Sequence, residues 1–146
     1  MKKVLVPVTV HTSPEQMRHA VEEAIAIYRK EDAVQIHLLS VQLPVSRHVA
    51  DCFAPGEMRE LHAQAAREDL APACAAFKAA GVPFLSHMET GRSAEAIASF
   101  AREIRCDRIL MGEPVQTGIT NKLFGNLASQ VQHLLGLTSE CRVIGC

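Results

Sequence analysis

Short apolar runs alternate with helix-forming segments along the chain of 146 residues, and this alternation constrains the fold more than any other feature. The run 4–8 is rich in β-branched residues and continuously apolar, as expected of a strand covered on both faces, and the mostly apolar run 34–41 is a second predicted strand. The predicted strands cover residues 4–8, 34–41, 82–88, 107–112 and 142–144. Helices between successive strands favour right-handed crossovers and a parallel sheet. The sequence therefore predicts an α/β protein, with helices on both faces of an open parallel sheet and a single domain over residues 1–146.

Capping residues mark several predicted helix ends. Ser13 is predicted to cap the first helix, with Gln16 completing a capping box. Gly81 is predicted to end the helix over residues 57–80, and Ser93 is predicted to cap the helix after the third strand. An irregular connection over residues 44–56 and a last helix over residues 126–135 complete the predicted organisation.

The composition excludes several classes of function. Fifteen basic and sixteen acidic residues give a net charge of −1, without the basic excess that nucleic acid attracts. No apolar run approaches the roughly 18–20 residues that cross a bilayer, and residues 4–8 are too few for the apolar core of a signal peptide. We therefore expect a cytoplasmic protein that binds neither nucleic acid nor membrane.

Motifs for catalysis or metal binding are not present in the sequence. It contains no G-x-S-x-G or HExxH, so no catalytic residue is predicted. The five cysteines and seven histidines show neither CxxC nor HxxxH spacing, so no metal site is predicted. His37 lies in an apolar strand, where a satisfied interior or edge histidine is expected rather than a ligand. A weaker hypothesis is a redox response by the thiols of Cys141 or Cys146.

Two loops are candidates for a ligand site, because parallel sheets bind ligands beyond the carboxyl ends of their strands. One covers residues 9–13 after the first predicted strand. The other, residues 112–126, follows the fourth predicted strand and is rich in glycine, threonine and asparagine. Glycine-rich loops of this kind, which lead into a helix, hold phosphate groups in many α/β proteins.

Three stretches resemble the universal stress protein family. They are "KKVLVPVTV" at residues 2–10, "TGRSAEAIASFAREIRCDRILMG" at residues 90–112 and "LFGNLASQVQHLLGLTSECRVIGC" at residues 123–146. The resemblance covers essentially the whole chain and implies a parallel sheet of strand order 3-2-1-4-5. It also implies a homodimer formed by the fifth strands, here Arg142, Val143 and Ile144. Some members of this family bind ATP and others do not.

The members that bind nucleotide carry G-x-x-G, nine residues, then G-[ST] after the fourth strand. Gly112 and Gly125 match the first and third glycines of that pattern. Val115 stands at the second glycine and Asn126 at the hydroxyl residue. Those members also follow the first strand with an aspartate, where this chain has Thr9. The spacing of the pattern is therefore kept, whereas three of its five residues are replaced.

The resemblance implies a set of nucleotide-contacting positions at the ends of the first, second and fourth strands and the start of the last helix. These positions are Pro7, Val8, Thr9, Val41, Met111, Gly112, Gly125, Asn126 and Leu127.

Local alternatives remain at the two loops and at one arginine. The loop 112–126 is either a phosphate site or an inherited connection in which Asn126 caps the last helix. Thr9 and His11 either replace an adenine or ribose contact or form a polar loop ahead of Ser13, which we favour. Arg92 either neutralises an anion in the cleft or lies in solvent, which we favour.

We expect a non-catalytic, homodimeric module of the stress response that has no cofactor and does not bind ATP tightly, with an unidentified protein as a further partner. The alternative is a sensor that binds ATP or AMP between residues 9–13 and 112–126.

Overall fold

The computed structural model describes residues 1–112, 127–136 and 140–144. Its elements in chain order are β1 (Lys2–Val8), α1 (Pro14–Lys30), β2 (Val34–Gln42), α2 (Arg47–Ala50), α3 (Glu57–Ala80), β3 (Leu85–Thr90), α4 (Ser93–Ile104), β4 (Arg108–Leu110), α5 (Leu127–Leu135) and β5 (Arg142–Ile144). The predicted bounds of β5 are confirmed, and those of β1, β2 and α5 differ by one or two residues.

The five strands form one parallel sheet of order β3-β2-β1-β4-β5, as the resemblance implied. Side chains alternate between its faces, so Val4 and Val6 of β1 pack with α1 and α3, whereas Leu5 packs beneath α4 and α5. All three side chains are fully buried. Burial of each such side chain contributes about 1.5–3 kcal/mol, and two apolar cores, one on each face, hold the sheet between the helices.

Two predicted boundaries were wrong because helix ends use more residues than the apolar pattern suggested. β3 begins at Leu85 rather than at residue 82, since the N–H of Val82 still donates to the Phe77 carbonyl, 2.9 Å away, beyond the end of α3. Ser93 is the first residue of α4 and not its cap. Arg92 is the cap residue, and its carbonyl accepts the N–H of Ala96 at 2.8 Å.

The other differences are smaller. β4 is limited to Arg108–Leu110, although the Asp107 carbonyl still accepts the N–H of Arg142 at 3.0 Å. The connection 44–56 contains the single-turn helix α2. The capping box at Ser13 and Gln16 and the glycine cap at Gly81 are confirmed. No helix in the described ranges has the length and the apolar character that a membrane span requires.

His37 and His87 form a contact between β2 and β3. His37 is 4% exposed, and its Nδ1 lies 2.8 Å from Nε2 of His87. Its Nε2 lies 2.8 Å from Oε1 of Gln35, and the two imidazole rings stack with centroids 5.0 Å apart. His87 in turn packs against Phe100 of α4. Both ring nitrogens of His37 therefore have partners, as predicted for an interior histidine.

Candidate functional site

The carboxyl edge of the sheet brings together the predicted positions on three strands. Pro7 and Val8 end β1, Val41 lies near the end of β2, and Met111 and Gly112 follow β4. All of them are buried, with β1 hydrogen-bonded between β2 and β4. Leu127 begins α5 and is half-buried. The strand order therefore creates the expected crevice between β1 and β4, where the order of the strands in the sheet reverses.

Part of the predicted site lies outside the described residues. This applies to Gly125 and Asn126 and to residues 113–124 of the loop before them.

Thr9 closes a tight turn at the end of β1. Its Oγ1 accepts the N–H of His11 at 3.0 Å and lies 3.4 Å from Oγ1 of Thr12. Its own N–H donates to Thr12 Oγ1 at 3.0 Å, and its carbonyl accepts the N–H of Thr12 at 3.1 Å. Thr9 is only 7% exposed. The favoured interpretation of a polar loop ahead of Ser13 is therefore supported, because local hydrogen bonds use the Thr9 side chain.

Gly112 packs directly against the first turn of α1. Its φ is +65°, and a Cβ added there would lie 2.0 Å from the carbonyl oxygen of Gln16 and 3.2 Å from Cβ of Ala20. No side chain fits at that distance, and a positive φ already disfavours any residue other than glycine. The fold therefore requires glycine at this position whether or not a phosphate binds nearby.

An open cleft of about 960 Å³ lies beside the carboxyl edge, between α4 and α5. Its described lining comes from the β1–α1 turn, the end of β2 and the first turns of α4 and α5: His11, Leu43, Arg92, Ser93, Ala94, Glu95, Leu127, Ser129, Gln130, His133 and Leu134. Of the seven described positions predicted for nucleotide contact, only Leu127 is in this lining. The other six lie at the strand ends behind it.

The start of α4 contributes two polar residues to the cleft. Arg92 is exposed, in agreement with the interpretation that it lies in solvent, and it also lines the cleft. Ser93 is 8% exposed, and its Oγ has no hydrogen-bond partner among the described residues. A buried hydroxyl without a partner has a free-energy cost, which a polar ligand could offset. The backbone N–H groups at the N-terminus of α4 favour an anion, because they have no acceptor within the helix and lie at the positive end of its dipole.

Sequence analysis missed most of the α5 side of the cleft. Gln130 and His133 lie one turn apart on α5 and face α4 across the cleft, but the sequence offered no reason to pair these helices. The one available signal was the apolar spacing on both helices, which places Ile97 and Val131 in the same buried core. The described residues contain no group of three or more His, Cys, Asp or Glu side chains arranged for a metal ion.

Known proteins resemble this chain in sequence and in fold. The model of the universal stress protein family matches residues 1–135. A search among curated proteins found no match.

Several solved structures share the fold at low sequence identity. A universal stress protein from Lactobacillus plantarum is 20% identical with a TM-score of 0.66, and the match covers 99% of this chain and 96% of that one. An Arabidopsis thaliana family member with AMP bound is 17% identical with a TM-score of 0.63, covering 99% and 90%. The Archaeoglobus fulgidus protein in complex with dAMP is 19% identical with a TM-score of 0.62, covering 99% and 97%. With the family model matched over nearly the whole chain, the protein belongs to the universal stress protein family.

Proposed function

We propose that this universal stress protein is a non-catalytic, homodimeric interaction module of the stress response whose cleft does not bind ATP tightly. The hydrogen bonding of Thr9 is the observation that supports the absence of tight ATP binding. Nucleotide-binding relatives are expected to present a carboxylate at this position, whereas the Thr9 hydroxyl accepts the N–H of His11 and contacts Thr12. Thr9 is also 7% exposed, so little of it can reach a base or a ribose.

The loop after β4 supports the same proposal. Gly112 matches the first glycine of the family's nucleotide motif. Its close packing against Gln16 explains why a glycine is present there even without a bound ligand. Val115 and Asn126 replace a glycine and a hydroxyl residue of the family pattern, and Pro114 lacks a backbone N–H. A hydrogen bond to a phosphate contributes about 1.5–3 kcal/mol, and the donor missing at Pro114 removes one such bond. The β-branched side chain of Val115 also disfavours the positive φ that a glycine adopts freely, so both changes weaken phosphate binding.

The homodimer is proposed to form through β5, which lies at one edge of the sheet. The N–H of Arg142 and the carbonyl of Ile144 bond to the β4 side, so the backbone of Val143 faces away from the sheet. Among the described residues, the N–H of Val143 donates to Oε1 of Gln132, a side-chain acceptor 3.3 Å away, and not to a strand. Antiparallel pairing with a second β5 satisfies such an edge, and Val143 and Ile144 are half-buried apolar residues suited to it.

The dimer is tested by substituting Val143 with proline. This change removes the outward N–H but leaves the bonds of Arg142 and Ile144 to β4 in place, so we expect a folded monomer. Leu85→Asp on β3, at the opposite edge of the sheet and 45% exposed, is the matched control and should remain dimeric. Light scattering of all three proteins at micromolar concentration, with circular dichroism to check folding, measures the result. A wild-type monomer, or a dimeric Val143→Pro variant, would contradict the proposal.

A protein partner is part of the proposed function. Leu43, Val45 and Val49 follow β2 and are 39–45% exposed, which makes them candidate contacts for that partner.

The second candidate function is an adenine-nucleotide sensor that holds ATP or AMP between residues 9–13 and 112–126. The specific observation in its favour is the cleft of about 960 Å³, whose lining includes Arg92 and Ser93, the latter with an Oγ that has no partner among the residues the structure describes. Its volume suits a nucleotide, and the relatives whose structures contain AMP and dAMP share this fold. The nucleotide content of the purified protein decides between the two candidates.

A further inference from the structure

Cys106 and Cys141 lie beside each other at the amino ends of β4 and β5. Each is 6% exposed, and both belong to the apolar core beneath α4 and α5 and line the same small cavity. The backbone fixes both positions: the N–H of Cys106 donates to the Ala101 carbonyl at 2.9 Å, and the N–H of Arg142 donates to the Asp107 carbonyl at 3.0 Å. Two thiols that are 35 positions apart in sequence are therefore held together by the C-terminus of α4 and by the β4–β5 ladder.

The surroundings of the two sulfurs differ. Sγ of Cys106 lies 2.9 Å from the carbonyl oxygen of Arg108 and 3.5 Å from that of Lys3, two acceptors that favour a protonated thiol. The hydrogen bond with Cys141, together with burial, raises the pKa of Cys106. The same hydrogen bond lowers the pKa of Cys141, although burial and Asp107 oppose the change. Because the Cys106 thiol donates to backbone carbonyl oxygens, Cys106 keeps its proton and Cys141 is the better nucleophile.

A small cavity gives access to the pair. It has a volume of about 270 Å³, and its lining includes both cysteines together with Arg102, Arg105 and Glu140. These three side chains are exposed, so the cavity opens to solvent. A water molecule occupies about 30 Å³ of liquid, so hydrogen peroxide or a small organic hydroperoxide fits inside.

We propose that Cys106 and Cys141 are a dithiol oxidation site, which a small hydroperoxide converts into an intramolecular disulfide. The Cys141 thiolate attacks the outer oxygen of the hydroperoxide, and the O–O bond breaks. The released alkoxide, or hydroxide in the case of hydrogen peroxide, takes up a proton and leaves as the alcohol or as water. Cys141 is then a sulfenic acid. The Cys106 sulfur attacks the Cys141 sulfur, the S–S bond forms and the S–O bond breaks, and the oxygen leaves as water with the Cys106 proton. Two thiols are oxidised, and one hydroperoxide is reduced.

The disulfide would tie the end of α4 to β5. Because both thiols line one cavity at the start of two neighbouring strands, we expect its formation to require rotation of the side chains and no movement of a strand. It would close a chain segment from residue 106 to residue 141, which restricts the unfolded state. We therefore expect the oxidised protein to melt about 5–15 °C higher than the reduced protein.

The site is tested by peptide mapping of wild-type protein after brief treatment with hydrogen peroxide and alkylation under denaturing conditions. Tryptic cleavage after Arg105, Arg108, Lys122 and Arg142 separates Cys106, Cys141 and Cys146, and Cys52 and Cys74 lie in two further peptides. We expect one linked pair of peptides, containing Cys106 and Cys141 and lacking two hydrogens. The exposed thiol of Cys52 is the internal control, and its peptide should not be linked to any other peptide.

Two substitutions test the order of the steps. Cys106→Ser should leave a sulfenic acid on Cys141 that a dione reagent traps, whereas Cys141→Ser should leave Cys106 unlabelled. Cys52→Ser should form the disulfide as the wild type does. Full alkylation of both Cys106 and Cys141 after peroxide, or a disulfide between either of them and a different cysteine, would overturn the proposal. The wild-type map gives this answer even where a serine variant fails to fold.

Discussion

Replacing Gly112 with alanine is expected to lower the free energy of unfolding by about 3 kcal/mol. Two costs add: about 1 kcal/mol for a side chain at a φ of +65°, and about 2 kcal/mol for displacing backbone that would lie 2.0 Å from the new Cβ. That backbone is the Gln16 carbonyl in the first turn of α1, which cannot move without disturbing the helix start. Denaturant unfolding followed by circular dichroism measures the loss.

Gly81→Ala is the matched control for this substitution. Gly81 has a φ of +71°, but a Cβ there meets no heavy atom within 4 Å. Only the conformational cost of about 1 kcal/mol is expected at this position. Equal losses in the two variants would mean that Gly112 does not pack against α1 as described. A large loss at Gly112 alone would show that a glycine of the phosphate motif serves the fold.

Acidification from pH 6.5 to pH 4.5 is expected to destabilise the protein through His37. Burial, then the charges of His87 and Lys3, lower the pKa of His37 from 6.5 to about 4. Between those values the unfolded chain binds a proton that the folded protein excludes, so stability falls as pH falls through this window. The expected loss is about 2 kcal/mol, less than the full shift would give, because solvent screens the contribution of Lys3.

The structure accounts for the direction of this change. A proton on Nδ1 of His37 would face Nε2 of His87, which must then give up its own proton there in order to accept. Burial also lowers the pKa of His87, while the charges of Glu89 and Glu103 oppose this shift. The lowered pKa of His87 adds to the loss of stability at acidic pH. Protonating the pair therefore places positive charge in a space where each ring already has a hydrogen-bond partner.

His37→Leu should remove most of this pH dependence, whereas His48→Leu, at an exposed position on α2, should retain it. The comparison uses the free energy of unfolding at pH 7.5 and at pH 4.5. Lower pH values are not used, because a second group titrates there. The hydrogen bond with Arg108 lowers the pKa of the Glu31 carboxylate to about 2, so its stabilising effect is lost between pH 4.5 and pH 2. Equal acid losses in wild type and His37→Leu would refute the assignment to His37.

The sheet could be predicted from sequence because its signals are local. The continuously apolar run of β1 and the mostly apolar run of β2 marked strands, and the capping box at Ser13 and the glycine at Gly81 marked helix ends. β3 was misplaced because Val82 is apolar but belongs to the hydrogen-bonded end of α3. Ser93 is a good capping residue in general, but the extended backbone of Arg92 makes that residue the cap.

The candidate site could be predicted only in outline, because its specific contacts join residues far apart in sequence. The crevice at the ends of β1 and β4 follows from the parallel alternation of strands and helices. The contacts between Gly112 and Gln16, between His37 and His87 and between Cys106 and Cys141 depend on packing. No spacing rule relates residues separated by 35 or more positions, so these contacts emerge only once the elements are assembled.

Nucleotide content is the most direct test of the proposed function. The purified protein is denatured, and the supernatant is chromatographed for adenine nucleotides, beside a variant that carries Thr9→Asp, Val115→Gly and Asn126→Ser. This variant restores the family pattern of residues, so it should release ATP or AMP in a measurable amount. We predict that the wild-type protein releases none. Release of an adenine nucleotide from the wild-type protein in near-equimolar amount would contradict the proposal and establish the sensor instead.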